Sequence, residues 1–336
     1  MKKLLQIDAK KTHFFFIGSI LILCVGFFII SCGSGISPQL KIQDSDRGPY
    51  ALDFSICPPG TICSAIIDSK VFDSTSSIFD ANKTVANKAL TIEAWVNNQA
   101  TTASATLGGI FARFDVAGIA LYAKDGIAKA AIRRVVASGS ATATADYIVT
   151  SGITLLKNVW YHIAGVLANS PHSHPANDCN ANDADDNIHL DIYVNGQFEG
   201  CAATFGASND PAIQPGFAGE PFTNNITAGV IAAGLDENLD GSVSSRETFP
   251  GIVDEVRLWG TARSKAQISN CRFQELSLDA GDCGRIRTDL ISYMRFNEGT
   301  GHTNNDWAGL GSGIITTGII TWDTGWTSGA PISAKD

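Results

Sequence analysis

The sequence predicts an all-β domain, a sandwich or a barrel, with one short helix. Three observations lead there. Alternating apolar and polar runs recur from residue 50 onward, separated by Gly, Asp and Asn turns, and many short strands with turn punctuation close into one of those two architectures. Only one stretch carries a helix start signal. Apolar residues fill 44% of the 336 positions and charged residues 17%, which allows a sizeable core and argues against wholesale disorder.

The elements follow in order. Ala51–Phe54 alternates, and Leu90–Val96 alternates with Leu90, Ile92, Ala94 and Val96 on one face. Residues 109–114, 118–123 and 127–136 form a succession of strands with Asp and Gly turns between them. Residues 160–166 make another. Residues 188–194 run into Asn195-Gly196, a strong two-residue hairpin signal. Residues 252–259 and 290–296 are late strands. The helix starts at Ser264-Lys265-Ala266-Gln267, a capping box leading to Ile268. No internal repeat or later linker is visible, so residues 49–330 read as one domain behind a Gly/Ser/Asp/Gln-rich tether at 33–48.

Residues 1–32 stand apart. Lys2, Lys3, Lys10 and Lys11 precede an apolar run from Phe14 to Ile30, which ends in Ile29-Ile30-Ser31-Cys32 and then Gly33-Ser34-Gly35. A basic start, an apolar stretch and a small residue at the cut are features of a secretory signal. The four residues ending at Cys32 resemble a bacterial lipobox, which implies an acylated Cys32 and a lipid-anchored, exported protein at the outer membrane or cell surface. An uncleaved transmembrane anchor is the other reading of this stretch. Both readings put residues 33–336 outside the cytoplasm. Of eight cysteines, Cys24 leaves with the signal and Cys32 takes the lipid. Cys57, Cys63, Cys179, Cys201, Cys271 and Cys283 then form three sequence-local couples, read as disulfides in an oxidising compartment. Without a CxxC pair, a zinc site is disfavoured.

Four blocks in order carry a family resemblance: Leu90–Val96, Trp160–Ala164, Asp191–Gly196, and Gly251–Trp259 followed by the Ser264–Ile268 turn. Ala51–Phe54 and Met294–Gly299 fit its edges. Together they resemble the laminin-G-like, concanavalin A-like jelly-roll superfamily over residues 50–325. The resemblance implies two packed antiparallel sheets and an extracellular binding role, with ligands that range from glycans to matrix and surface proteins.

The sharpest local motif is Asp236–Glu247. Asp236, Asn238 and Asp240 stand at positions 1, 3 and 5 of a 12-residue calcium loop, with Gly241 at the turn, Ser242 offering its carbonyl, Ser244 at the water-mediated position and Glu247 closing the shell. Oxygen ligands at this spacing suit Ca²⁺; a solvated acidic turn is the bland alternative. Residues 228–233 before the loop read as a strand, and Pro250 after it forbids a long exiting helix. The expectation is a structural clamp between strands. The His172–Asn187 loop reads either as a second metal site at His172 and His174 or as a hydrophilic insertion.

Charge and motifs narrow the function. A net charge of −9 repels phosphate backbones, which argues against nucleic acid. No Glu-x-Asp-x-x-Glu run of laminarinase-type enzymes, GxSxG or HExxH is present, so no catalytic residue is assigned. Asp254 and Glu255 are neighbours and point to opposite faces of a regular strand, and Glu93 sits alone. His162 reads as a satisfied structural histidine, and Arg133-Arg134 as a strand edge. Trp95, Trp160 and Trp259 read as core or near-core; Trp307, Trp322 and Trp326 read as packed, with sugar stacking as their alternative. The expected function is a calcium-stabilised binding or adhesion module, its ligand contacts on loops 97–108, 170–187 and 205–225 at one rim. A structural envelope protein and, less favoured, a glycan-active enzyme are the alternatives.

Overall fold

The computed structural model describes residues 50–55, 65–67, 89–100, 107–114, 118–138, 141–168, 189–203, 229–231, 248–277, 281–285, 288–297, 299, 303–308, 317–320 and 326–330, all within the unit Gly48–Asp336. Its strands are β1 (Tyr50–Asp53), β2 (Ala65–Ile67), β3 (Leu90–Asn98), β4 (Leu107–Phe114), β5 (Gly118–Lys124), β6 (Ile127–Ser138), β7 (Ala141–Thr154), β8 (Trp160–Ala168), β9 (His189–Val194), β10 (Gln197–Ala203), β11 (Gly229–Ile231), β12 (Gly251–Trp259), β13 (Leu290–Met294), β14 (Thr303–Asn305), β15 (Thr317–Ile320) and β16 (Trp326–Ser328). The helix, here α1, spans Lys265–Cys271. Among the described residues no helix is long and apolar enough to cross a membrane; Phe14–Ile30 and Cys32 lie outside them.

The strands form two antiparallel eight-stranded sheets. The first runs β10-β9-β8-β3-β12-β1-β16, with β13 beside β12; the second runs β14-β15-β2-β11-β4-β5-β6-β7. This is the expected sandwich. Its core lies between the sheets, where Leu90, Ile92, Ala94 and Val96 of β3 meet Ile119, Leu121, Ala130 and Ile132 of β5 and β6. The packing is close enough that a Cβ on Gly165 of β8 would come within 3.0 Å of the Ala130 Cβ. The predicted turns form: Asn195-Gly196 sits at φ +52° and +73°, the left-handed pair that a two-residue hairpin needs.

β3 alternates, yet both of its faces are buried. Its second face turns away from the sandwich and is covered by α1 and the segment after it. Ser264 caps the helix, with the capping box complete. Ile268 packs on Ala164, Val166 and Tyr193 of the first sheet. The Cys271–Cys283 disulfide ties the covering segment to itself. Cys201 is also disulfide-bonded; Cys57, Cys63 and Cys179 lie outside the described residues.

The crossing from the second sheet to the first passes through Phe249-Pro250. Phe249 is buried and wedges between Gly108 and Gly251. A methyl group on Gly251 would collide with the Asn97 carbonyl oxygen and lie 2.5 Å from Phe249 Cε1. Gly251→Ala is therefore expected to lower the unfolding free energy by about 1–3 kcal/mol, as overpacked cores do. Gly152→Ala is the control, because its Cβ would meet only the flexible Glu199 carboxylate at 3.6 Å. Urea unfolding that shows equal effects for the two would refute this account.

Candidate binding rim and the buried polar layer

β3 ends in Asn97 and Asn98, with Gln99 next in the chain, and hydrogen bonds gather neighbouring chain ends around them. Gln99 N–H donates to Pro250 O at 2.9 Å, and Asn158 N–H donates to Asn98 O at 2.9 Å. The Asn98 side chain donates to Leu155 O at 3.0 Å and accepts from Ala100 N–H at 3.0 Å. Phe54 N–H donates to Gly251 O. This rim therefore holds the starts of β4 and β12, the end of β1 and the 155–159 turn. That turn presents Leu156 (58% exposed) and Val159 (40% exposed) to solvent.

The described residues that flank the expected calcium loop lie at the same rim. Before it, Ile231 pairs with Phe111 of β4; after it, Thr248 bridges Gly109 of β4. Both ends are thus pinned to one strand, and the chain then crosses to the first sheet. Asp236, Asn238, Asp240, Ser242, Ser244 and Glu247 lie outside the described residues, as do His172 and His174. Among the described residues no group of three or more His, Cys, Asp or Glu is placed to hold a metal.

Residues 101–106, 170–187 and 205–225 of the three loops lie outside the described residues, but the strand ends that flank the loops are placed. β8 runs antiparallel to β3, pairing Leu167 with Leu90 and Trp160 with Asn97. Ala168 and His189, which flank the second loop, and Ala203, which precedes the third, therefore lie at the end of the first sheet opposite Asn98. Neighbouring antiparallel strands deliver their exits to opposite ends, so among the described strand ends beside these loops only those of β3 and β4 that flank loop 97–108 lie on the rim of Ile231 and Thr248.

The outward face of the first sheet holds a polar layer sealed beneath the covering segment. Glu93 lies at its centre, fully buried. It accepts from Trp259 Nε1 at 2.8 Å and lies 3.6 Å from Arg257 Nη1 and 3.5 Å from His162 Nε2. Burial pushes its carboxyl upward, but Arg257, Arg263, His162 and the Trp259 N–H outweigh that and hold it below its usual range. Arg257 donates from Nη2 to Glu255 at 2.7 Å and to Gln274 O at 2.6 Å, and from Nη1 to Cys271 O at 3.1 Å. It thereby ties the last residue of α1, whose carbonyl also accepts the Gln274 N–H at 3.2 Å, and the turn after it to the first sheet. Arg263 stacks over Trp259 at 3.9 Å, and Trp95 Nε1 donates to Arg272 O at 2.6 Å.

Two sequence expectations change here. Asp254 and Glu255 do not sit on opposite faces of a regular strand. The β12–β3 register shifts between Asp254 and Arg257, and Glu255 takes φ +51°; such a bulge re-aims a side chain. Both carboxyls are buried. Asp254 accepts from Glu255 N–H and Ala330 N–H at 2.8 Å. Glu255 takes Arg257 and the Tyr293 hydroxyl, the latter at 2.6 Å. Burial and mutual repulsion raise the Asp254 carboxyl well above its ordinary range; burial also raises Glu255, against the pull of Arg257, Arg295 and Tyr293. His162 is buried as expected, but among the described residues neither ring nitrogen has a hydrogen-bond partner. Burial first, then Arg257, Arg272 and Arg263, push its imidazole down to about 4 despite Glu93, so it is neutral at pH 7.

The tryptophans sort by layer. Trp95 and Trp259 are buried, whereas Trp160 is only half-buried. Trp307 packs between the Arg285 and Arg295 guanidiniums at 4.9 and 5.0 Å. The side chains of Trp322, Trp326, Arg133 and Arg134 lie outside what is described.

Comparison with known proteins agrees with this architecture. A laminin G-type family model, described as the concanavalin A-like lectin/glucanases superfamily, matches residues 72–269. No curated protein matches the sequence. A solved structure of a candidate carbohydrate binding protein from Bacteroides ovatus is similar at 16% identity and TM-score 0.46, over 85% of this chain and 62% of that one. The chain thus spans less than two thirds of that protein's length. A heptameric SAP-like pentraxin from Limulus polyphemus is similar at 15% identity and TM-score 0.34, over 66% of this chain and 79% of that one. The binding domain of Paraclostridial Mosquitocidal Protein 1 is similar at 11% identity and TM-score 0.32, over 55% and 37%. On its fold and on the match over residues 72–269, the chain belongs to the concanavalin A-like superfamily, in its laminin G-like branch.

Proposed function

We propose that this chain is a glycan-binding module, lipid-anchored through Cys32 at the outer membrane or cell surface, whose contact region is the Asn97–Ala100 rim and whose stability is raised by Ca²⁺ held in Asp236–Glu247. The observation that carries the proposal is the pinning of both ends of that segment to β4, at Phe111 and Gly109, beside the polar Asn97-Asn98-Gln99 end of β3. A metal bound there would brace the rim that meets the ligand. Binding is favoured over hydrolysis because the adjacent buried acids are already engaged: Asp254 by backbone amides, and Glu255 by Arg257 and Tyr293. A protein partner is the second reading, favoured by exposed Leu156 and Val159 on the same rim. The lipid anchor rests on the Ile29–Cys32 sequence.

The test is a binding screen of the whole detergent-solubilised chain against glycans and matrix proteins, with Ca²⁺ and again with chelator. Hits confined to one glycan class, weakened by chelator and by Glu247→Ala, are expected. Saturation at a hundred times Kd should add about 2.7 kcal/mol to stability, lost in Glu247→Ala. A melting temperature indifferent to Ca²⁺ would remove the clamp, and hits on matrix proteins alone would favour the protein partner. An absence of hits in either condition would shift the reading to a structural envelope role.

A further inference from the structure

Among the described residues β7 is the last strand of the second sheet and pairs there with β6 alone. Its two halves stand in different surroundings. Around Val149–Gly152 it lies against β10, where a Cβ on Gly200 would be 3.3 Å from Thr150 O and one on Gly152 would be 3.6 Å from Glu199. Ala141–Tyr147 is different. β5 stops pairing with β6 at Arg133, while β6 and β7 continue together from Arg134↔Ala145 to Ser138↔Ala141. Among the described residues this stretch is a two-stranded ribbon running past its sheet. A lone hairpin is marginal in water, and a free edge offers unpaired N–H and C=O groups to another strand. The sequence devices that blunt such an edge are sparse: Ala141–Tyr147 has no Lys, no Pro and one charge, Asp146.

We propose that the Ala141–Tyr147 edge of β7 is a homodimer interface, pairing antiparallel with the same edge of a second copy about a two-fold axis at Thr144. The sequence favours a second copy because it is complementary to itself in that register. Thr144 meets Thr144, Ala143 meets Ala145, Thr142 meets Asp146 and Ala141 meets Tyr147. Asp146 therefore never faces its own symmetry mate, and like charges directly opposite would be destabilising. Each pair includes a small or β-branched residue. The axis makes the contact isologous, which closes at two copies. It joins the two eight-stranded sheets into one and gives the ribbon its third and fourth strands. Two copies would also present two rims to a multivalent ligand.

The experiment uses the full chain in mild detergent. Thr144→Cys places two thiols opposite each other, within the ~4 Å Cβ separation of a disulfide. Thr142→Cys places them about 13 Å apart along the strands. The expected result is a reductant-sensitive dimer on a non-reducing gel, roughly tenfold stronger for Thr144→Cys because only directly opposed positions come within bonding reach. Light scattering should give wild type twice the single-chain mass. Thr144→Lys, which sets two ammonium groups face to face, should give the single-chain mass with an unchanged melting temperature. A wild-type chain of single-chain mass would overturn the proposal. So would equal cross-linking at 142 and 144, or a Thr144→Lys chain that stays dimeric.

Discussion

Replacing Arg257 with Leu is expected to lower the unfolding free energy by roughly 3–5 kcal/mol, the cost of breaking a buried ion pair by removing one partner. The magnitude follows from what Arg257 touches. Glu93 and Glu255 are both fully buried beside it, and each would be left with a less compensated negative charge. Gln274 O would lose the Arg257 donor, and Cys271 O would keep only the Gln274 N–H, which loosens the covering segment. Arg257→Lys is expected to restore little, because one ammonium cannot reproduce the forked contacts to a carboxylate and two carbonyls. Urea unfolding gives the free energy, and near-ultraviolet circular dichroism reports on Trp95 and Trp259 in the layer. A loss below about 1 kcal/mol, the size of an exposed pair, would show that the layer is not sealed from water.

The second large effect is a pH dependence. The His162 imidazole is pushed from 6.5 down to about 4 by burial and the nearby guanidiniums. In that window the unfolded chain binds a proton that the folded chain refuses. Stability is therefore full above pH 6.5 and falls as the pH drops toward 4, by on the order of 3 kcal/mol in total. His162→Gln should flatten this slope. Asp254 and Glu255, both raised, tilt the curve the other way, being most stabilising at low pH. Glu93 is lowered from 4.5, so its stabilisation fades only as the pH falls through and below that value. Asp254 and Glu255 remain in the variant, so the difference between the two unfolding curves reports His162 together with its effect on Glu93. Parallel curves from pH 7 to 4.5 would show that water reaches the imidazole.

These two residues also show where sequence reading ran short. His162 and Glu93 lie on β8 and β3, and Arg257 on β12, each alone in its own strand. Alternation marks them as a strand's second face and says nothing of what covers that face. Had the face met water, they would have been ordinary surface charges. The signal was present in composition: a Glu, a His, an Arg and two Trp on the non-core positions of three strands that pair with one another. The bulge at Asp254–Glu255 left no such trace, because it arises from the pairing register with β3 rather than from a turn residue. β7 passed unnoticed because its Ala/Thr run lacks large apolar residues, although its Thr positions favour extended chain.

By itself the sequence determined what depends on neighbours along the chain. Period-two alternation placed β3, β8, β9 and β12, Asn195-Gly196 placed the β9–β10 hairpin, the capping box at Ser264 placed α1, and the 271/283 spacing suggested the disulfide that forms. Their order along the chain pointed to the laminin G-like sandwich. Tertiary structure decided everything that depends on which strands become neighbours. It set the strand ends before loops 170–187 and 205–225 opposite the end of β3, held Ile231 and Thr248 on β4, sealed Glu93, His162 and Arg257 under α1, and, among the described residues, left the far half of β7 as an edge. The physical reason is that local propensity sets the shape of a strand, whereas burial and charge are set by what packs across it.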